Sequence, residues 1–354
     1  MTKLEIARQK LGEQGIDAFL VSNEYNQHYL SDFAFQDGLL LITAKKAYLI
    51  TDKRYDERAG YEASREFEVV VPKNRSEFIG DILSGEGCRT LGFEGGTVSY
   101  AAYKRYRDTY PDVEFVDVGD MTEKMREIKL PYEIEYMQKA QDVTDKAFAH
   151  LLSVIKPDMT EIEVAAELEY AMRRNGATGI AFETIAVSGV NSTHPHGVPR
   201  NVKLGRGFLT MDFGASYNGY CSDMTRTIVI GSADDEMKRV YDTVLRAQCA
   251  VLEAIDWHSN CAEMDKIARD IIDNAGYKGK FGHSLGHGVG LYIHEKPGLN
   301  SGNTSGILEN GHVVTVEPGI YLEGQYGVRI EDMVMIHNNR AENITKSRKD
   351  LIIL

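Results

Sequence analysis

Apolar positions over residues 1–123 come in short runs divided by charged stretches of helical period. In MTKLEIARQKLGEQG they recur at the spacing of an amphipathic helix, and DAFLVS follows as a short strand. GLLLITAKKAYLIT predicts a hairpin, with apolar residues 39–42 and 47–50 on either side of a polar turn at Lys45 and Lys46. FEVVV and VEFVDV read as further strands, so the pattern predicts an α/β domain. Charge becomes dense in MTEKMREIKLPYEIE and Pro131 breaks the pattern. A connection and a new helix are expected there, with a first domain at residues 1–123 and a second at 124–354.

The second domain is punctuated more sharply. Thr160 followed by Glu163 makes a capping box ahead of EIEVAAELEYAMRR, whose apolar residues keep helical spacing, and a C-terminal cap is expected at Gly176. Another helix is predicted over residues 234–255 with Ser232 as its cap, and a third, AEMDKIARDIIDNAG, is predicted to end at Gly276. Two strand-turn-strand segments accompany these helices. In FLTMDFGASYNGYCSDMTRTIVI the turn is Asn218 and Gly219, the strongest hairpin signal of the chain. Pairing centred there sets Asp212 opposite residue 225, so Asp223 is a diagonal neighbour of Asp212 or is brought opposite it by a bulge. In VVTVEPGIYLEGQYGVRIEDMVMI, Glu317 and Glu331 are equidistant from Gly324, and a hairpin centred on that glycine sets them across from each other. Each hairpin is preceded by helical sequence, which hints at two similar halves.

Composition narrows the function. The chain has 354 residues, and 40 basic against 53 acidic side chains give a net charge of −13. That balance argues against an electrostatic grip on nucleic acid or on a membrane of anionic lipid. No apolar run approaches the roughly 20 residues that a membrane span requires. Cys88, Cys221, Cys249 and Cys261 show no C-x-x-C spacing and fit reduced thiols better than a disulfide frame. A cytoplasmic location is the expectation.

The hairpins also carry candidate chemistry. A lone Asp near a turn is usually a turn residue, and a lone His is usually structural. A Glu inside the apolar run VVTVEPGIY, however, is costly to bury unless it is paired or bound to a cation. The two carboxylate hairpins accompany FGHSLGHGVGLYIHE, where His283, His287 and His294 share one glycine-rich stretch. Gly286 and Gly288 flank His287, where close backbone approach is expected. The stretch has neither G-x-G-x-x-G nor G-K-[ST], so it is not a phosphate loop. His194 and His196 in STHPHGVPRN are expected to line the same cleft. Asp212, Asp223, His287, Glu317 and Glu331 make an oxygen-rich set with one nitrogen. Such a set suits two divalent ions of the Mn, Co or Zn kind, bridged by shared carboxylates and able to activate water.

MDFGASYNGYCSDMTRT, GHSLGHGVGLYIHE, TVEPGIY and GVRIED resemble the metallopeptidase family that includes methionine aminopeptidase, Xaa-Pro aminopeptidase and prolidase. The resemblance runs from about residue 124 to the C-terminus and fills all five ligand positions of the family in order. HYLSDF, TDKRYDERA and GFEGG are similar to the N-terminal domain of the creatinase and prolidase branch. The implied architecture is an α/β N-terminal domain followed by an α+β catalytic domain of the pita-bread (creatinase/aminopeptidase-like) fold. The family pattern implies that Asp212 and Asp223 bind one metal, that Asp223 and Glu331 bridge the two, and that His287 and Glu317 complete the second. It also implies that a water or hydroxide between the ions attacks the scissile carbonyl, with Glu317 as proton shuttle. By the same resemblance His294 and His196 contact the substrate or steady the tetrahedral intermediate, His283 lies near the S1′ region, and Arg329 orients the bridging carboxylates.

The domain ahead of the catalytic one distinguishes the chain from the simplest methionine aminopeptidases. It points to the proline-specific branch and to peptides with proline at the second position, and the resemblance implies a homodimer. Prolidases often place an arginine soon after the histidine that matches His294, whereas HEKPGLNSG has Gly298 and Asn300 and no arginine. This departure favours an Xaa-Pro aminopeptidase over an Xaa-Pro dipeptidase, unless Arg200 or another cation reaches that place. Non-catalytic binding relatives and the metal-free creatinase usually lack part of the ligand set, which is complete here.

Overall fold

In the computed structural model, which describes residues 1–354, Met1–Arg126 and Glu127–Leu354 are two separate units. The first alternates helix and strand: α1 Lys3–Glu13, β1 Ala18–Val21, α2 Glu24–Ser31, β2 Leu39–Thr43, β3 Ala47–Ile50, α3 Asp56–Glu62, β4 Glu68–Val70, α4 Arg75–Glu86, β5 Thr90–Phe93, α5 Tyr100–Thr109, β6 Glu114–Asp117 and α6 Met121–Glu127. The strands form one sheet in the order β4-β3-β2-β1-β5-β6. It holds the hairpin read from the apolar runs, paired from Leu39↔Ile50 to Ile42↔Ala47. Leu20, Leu41, Ile50, Ile79, Leu83 and Leu91 pack together beneath it. Glu94 of GFEGG is buried, and its Oε2 accepts the backbone N–H groups of Ser22 and Asn23 at 2.7 Å, just ahead of α2. Residue 123, the expected boundary, falls inside α6.

The second unit opens with α7 Pro131–Val154 and α8 Glu161–Arg174. Pro131 occupies the start of α7, where its missing N–H has no helical partner to lose. Thr160 and Glu163 form the reciprocal capping box, and Gly176 follows α8 at φ 104°, a conformation that favours glycine. Then come β7 Gly179–Ile180, β8 Ile185–Ser188, β9 Gly207–Phe213, β10 Ala215–Tyr217, β11 Tyr220–Cys221 and β12 Met224–Ile230. The helices α9 Asp235–Ala254 and α10 Cys261–Ile272 precede β13 Gly286–Gly288, β14 Glu295–Leu299, β15 Val313–Val316, β16 Gly319–Leu322, β17 Tyr326–Arg329, β18 Asp332–His337 and β19 Arg340–Asn343. The cap of α9 is Asp234 rather than the expected Ser232. The Asp234 carboxylate accepts the Met237 N–H at 2.8 Å, whereas Ser232 accepts from Arg206. Asp234 stands immediately before the helix, where its charge also meets the positive end of the dipole.

Two helix pairs each cover one antiparallel pair of strands. Val143, Leu151, Val164 and Leu168 pack with Leu209, Met211 and Ile228, while Val240, Val251 and Ala268 pack with Val314, Val316 and Val334. Because side chains alternate across a strand, burying Met211 and Phe213 in the first core turns Asp212, between them, to the opposite face. No helix is long and apolar enough to cross a membrane.

Candidate metal centre

The register of the first hairpin fixes two carboxylates. β9 and β12 pair from Asp212↔Thr225 to Gly207↔Ile230, and β10 and β11 pair Ser216↔Cys221 and Tyr217↔Tyr220. All these pairs are centred on Asn218 (φ 50°) and Gly219 (φ 84°), the two left-handed positions of a type I′ turn. Asp223 is therefore diagonal to Asp212, with no bulge needed.

The second hairpin behaves alike. β15 and β18 pair Val316↔Asp332, and β16 and β17 pair Gly319↔Arg329, so one register continues past Glu317 and Glu331 and leaves them facing each other. His287 comes from β13. A Cβ on Gly286 would lie 2.0 Å from the Thr315 carbonyl oxygen, and one on Gly288 would lie 2.2 Å from that of Lys296. Glycine on both sides thus lets β15 and β14 close around the histidine.

Asp212, Asp223, His287, Glu317 and Glu331 all line one cleft of about 540 Å³, together with His196, His283, His294 and Arg329. His194 is exposed and does not belong to the lining, contrary to expectation. Asp223, His287 and Glu331 bring potential ligand atoms within 4.8 Å of one another. His287 Nε2 lies 3.6 Å from Asp223 Oδ2 and 3.5 Å from Glu317 Oε1. Its Nδ1 is 3.0 Å from the Gly288 carbonyl oxygen, which only accepts, so the proton sits on Nδ1 and the Nε2 lone pair faces the carboxylates.

Three polar residues that the sequence reading did not single out steady this set. Thr225 Oγ1 donates to Glu331 Oε2 at 2.7 Å, and Thr315 Oγ1 donates to Glu317 Oε1 at 3.3 Å while accepting the His287 N–H at 3.1 Å. Arg329 donates to Asp212 Oδ2 at 2.8 Å, to Thr225 Oγ1 at 3.0 Å, to Tyr321 Oη at 2.8 Å and to the Pro195 carbonyl at 3.2 Å. Its direct carboxylate partner is Asp212, and it reaches Glu331 through Thr225. Tyr321 Oη donates to His283 Nε2 at 2.8 Å, because His283 Nδ1 already donates to the Ser284 carbonyl at 2.8 Å. Thr225 was within reach of the hairpin register as the partner of Asp212; Tyr321 gave no such signal.

Electrostatics set these side chains against one another. Burial, and then repulsion from neighbouring carboxylates, pushes Asp223 and Glu331 well above the usual carboxylate range. Glu317 is pushed up to about 8, by burial first and by Asp212 as well. Burial lowers His287 and His283 to about 4, so both are neutral near pH 7. Asp212 Oδ1 is buried without a hydrogen-bond partner. A buried carboxylate oxygen left unmatched, among four carboxylates balanced by one arginine, fits a cation. Oxygen donors with one neutral imidazole nitrogen are the chemistry of Mn, Co or Zn rather than of a thiolate-seeking ion.

Residues 3–128 match the creatinase/prolidase N-terminal domain, and residues 135–338 match metallopeptidase family M24. The fold is similar to that of an Xaa-Pro dipeptidase from Bacillus anthracis, 43% identical, with a TM-score of 0.95 and 99% of each chain covered. It is also similar to an X-Pro aminopeptidase from Thermotoga maritima, 36% identical, with a TM-score of 0.91, covering 98% of this chain and 100% of that one. An Xaa-Pro dipeptidase from Pyrococcus furiosus is 38% identical over 352 residues, 99% of each chain.

Proposed function

The chain belongs to metallopeptidase family M24, with a creatinase/prolidase N-terminal domain, and we propose that it acts as an Xaa-Pro aminopeptidase, releasing the residue ahead of proline from the N-terminus of peptides. The meeting of five ligand-type side chains in one cleft, with Asp212 Oδ1 buried and unmatched, carries this reading. Asp212 and Asp223 would hold one divalent ion, His287 and Glu317 would complete the second, and Asp223 and Glu331 would be shared. Manganese is the proposed ion, and cobalt or zinc suits the same donors. Once bound, such ions supply Lewis-acid activation of water and of the scissile carbonyl.

The chain's own residues supply the rest. Glu317, inside the cleft, takes the proton of the attacking water and passes it to the leaving proline nitrogen. His294, whose ring centroid lies 4.4 Å from that of His287, and the exposed His196 offer N–H groups to the carbonyl oxygen as it gains charge. His283, fixed in one tautomer by Ser284 and Tyr321, walls the proline side.

Peptide length follows from the cations. A dipeptide presents its carboxylate beside the proline ring and calls for a free positive charge there. The cleft lining contains no lysine and Arg329 as its only arginine, already committed to Asp212, Thr225 and Tyr321. Arg200 is bound to buried Glu161 by two side-chain hydrogen bonds of 3.0 Å and lies outside the lining. Both observations favour longer peptides. Two of the relatives are named Xaa-Pro dipeptidases, which favours dipeptide hydrolysis as a second reading. Rates on Ala-Pro and Ala-Pro-Ala under added Mn, Co and Zn separate the two: preference for the tripeptide supports the aminopeptidase, and strict preference for the dipeptide replaces it. Peptide bound without turnover would mark a binding module instead. A homodimer and a cytoplasmic location complete the proposal.

A further inference from the structure

Glu183 and Thr184 line the same cleft and have no part in the chemistry above. They directly precede β8, whose first residue, Ile185, pairs with Asp212. Thr184 is 5% exposed, and its Oγ1 has no hydrogen-bond partner in the chain. Glu183 is exposed and forms no ion pair. The cleft lining also includes the apolar side chains of Phe182, Ile185, Val198, Pro199 and Ile293.

Charge balance singles out Glu183. The other four carboxylates of the lining face Arg329 and the proposed ions, and no lysine or second arginine lines the cleft to neutralise a fifth. Two adjacent oxygen acceptors without donors suit a group that brings several N–H bonds and a full positive charge, an ammonium or a guanidinium. The α-ammonium of the substrate is common to every peptide and selects nothing; a side chain does.

We propose that Glu183 and Thr184 form a subsite for a cationic side chain, so that the cleft selects peptides with lysine or arginine beside the scissile Xaa-Pro bond. This rests on the peptide-hydrolysis reading above. Because Glu183 is exposed, the selection is modest, about threefold, as solvent-exposed ion pairs are. It weakens with salt, since the screening length is about 10 Å at 0.1 M.

The test compares kcat/KM of the manganese-loaded enzyme for Lys-Pro-Ala against norleucine-Pro-Ala, and for Ala-Pro-Lys against Ala-Pro-norleucine, at low and high salt. Each norleucine peptide keeps the α-ammonium and the carbon stem of the lysine side chain while removing its terminal ammonium. The expected result is a lysine preference of about threefold in one of the two positions, lost in Glu183→Gln and reversed in Glu183→Lys. Thr184→Val, which keeps the shape of the side chain, is expected to reduce the preference; an unchanged ratio removes Thr184 from the subsite. Equal rates in both positions, or a preference that survives Glu183→Lys, overturn the proposal. If none of the four peptides is cleaved, the hydrolytic reading fails, and the subsite is decided by calorimetric affinities of the same peptides. Tighter binding of the lysine peptides then supports it and equal binding overturns it.

Discussion

The guanidinium of Arg329 divides its N–H groups among Asp212, Thr225, Tyr321 and Pro195, and through Thr225 it reaches Glu331. A lysine ammonium is a point charge that cannot span those four directions. Arg329→Lys is therefore expected to weaken manganese binding by about 10- to 100-fold, read by competition with a chelating dye. Protons compete for the same atoms. Glu317 sits at about 8 in the metal-free protein, against 4.5 for an ordinary glutamate. A carboxylate raised in this way stabilises the fold while protonated and loses that contribution as the pH rises through its folded value. Metal-free protein is expected to melt lower at about pH 9 than at about pH 7, where unfolded histidine is mostly neutral, with manganese closing the gap, and metal uptake near pH 7 is expected to release protons measurable by calorimetry in two buffers. At this scale the five ligand-type residues were legible because each sits at a fixed offset from a turn or between glycines. Tyr321 was not, because its role is to join Arg329 to His283 across the fold, and neither contact leaves a pattern in the chain. His194 looked equivalent to His196 by spacing, yet only His196 reaches the cleft.

Hairpin register was the most readable property of the elements. Asn218 with Gly219 fixed the pairing of Asp212 with Thr225, since a two-residue turn admits one alignment of its strands. The cap of α9 was less readable, because Ser232 and Asp234 are both capping residue types and only the helix start decides between them. Asp234→Ala is expected to cost about 1 kcal/mol in urea denaturation. Ser232→Ala, at a half-buried position bonded only to Arg206, is expected to stay within about 0.5 kcal/mol. Gly286→Ala probes the approach of β13 to β15: a methyl 2.0 Å from the Thr315 carbonyl forces the strands apart. Its expected cost is about 1–3 kcal/mol, together with weaker metal binding because His287 is the next residue. Normal manganese affinity in that variant would show that His287 does not depend on the close approach.

At the level of the molecule, the candidate centre draws on two helix-covered halves of the second unit. The first hairpin supplies Asp212 and Asp223; the later strands supply His287, Glu317 and Glu331. The order of these ligand-type residues along the chain was legible, and so was the family, but their convergence on one cleft is a product of packing: each helix pair covers one face of its own strands and leaves the carboxylates on the other. Ions held by residues from both halves would bind the folded state alone, so divalent metal is expected to raise its melting temperature with concentration. The most direct measurement strips the protein with a chelator, reloads it with manganese while counting bound ions, and follows cleavage of Ala-Pro-Ala. The account predicts no cleavage after stripping and full return of activity as the second ion per chain binds. A protein that holds two ions and leaves every Xaa-Pro peptide intact, or one that cleaves them after complete stripping, would contradict it.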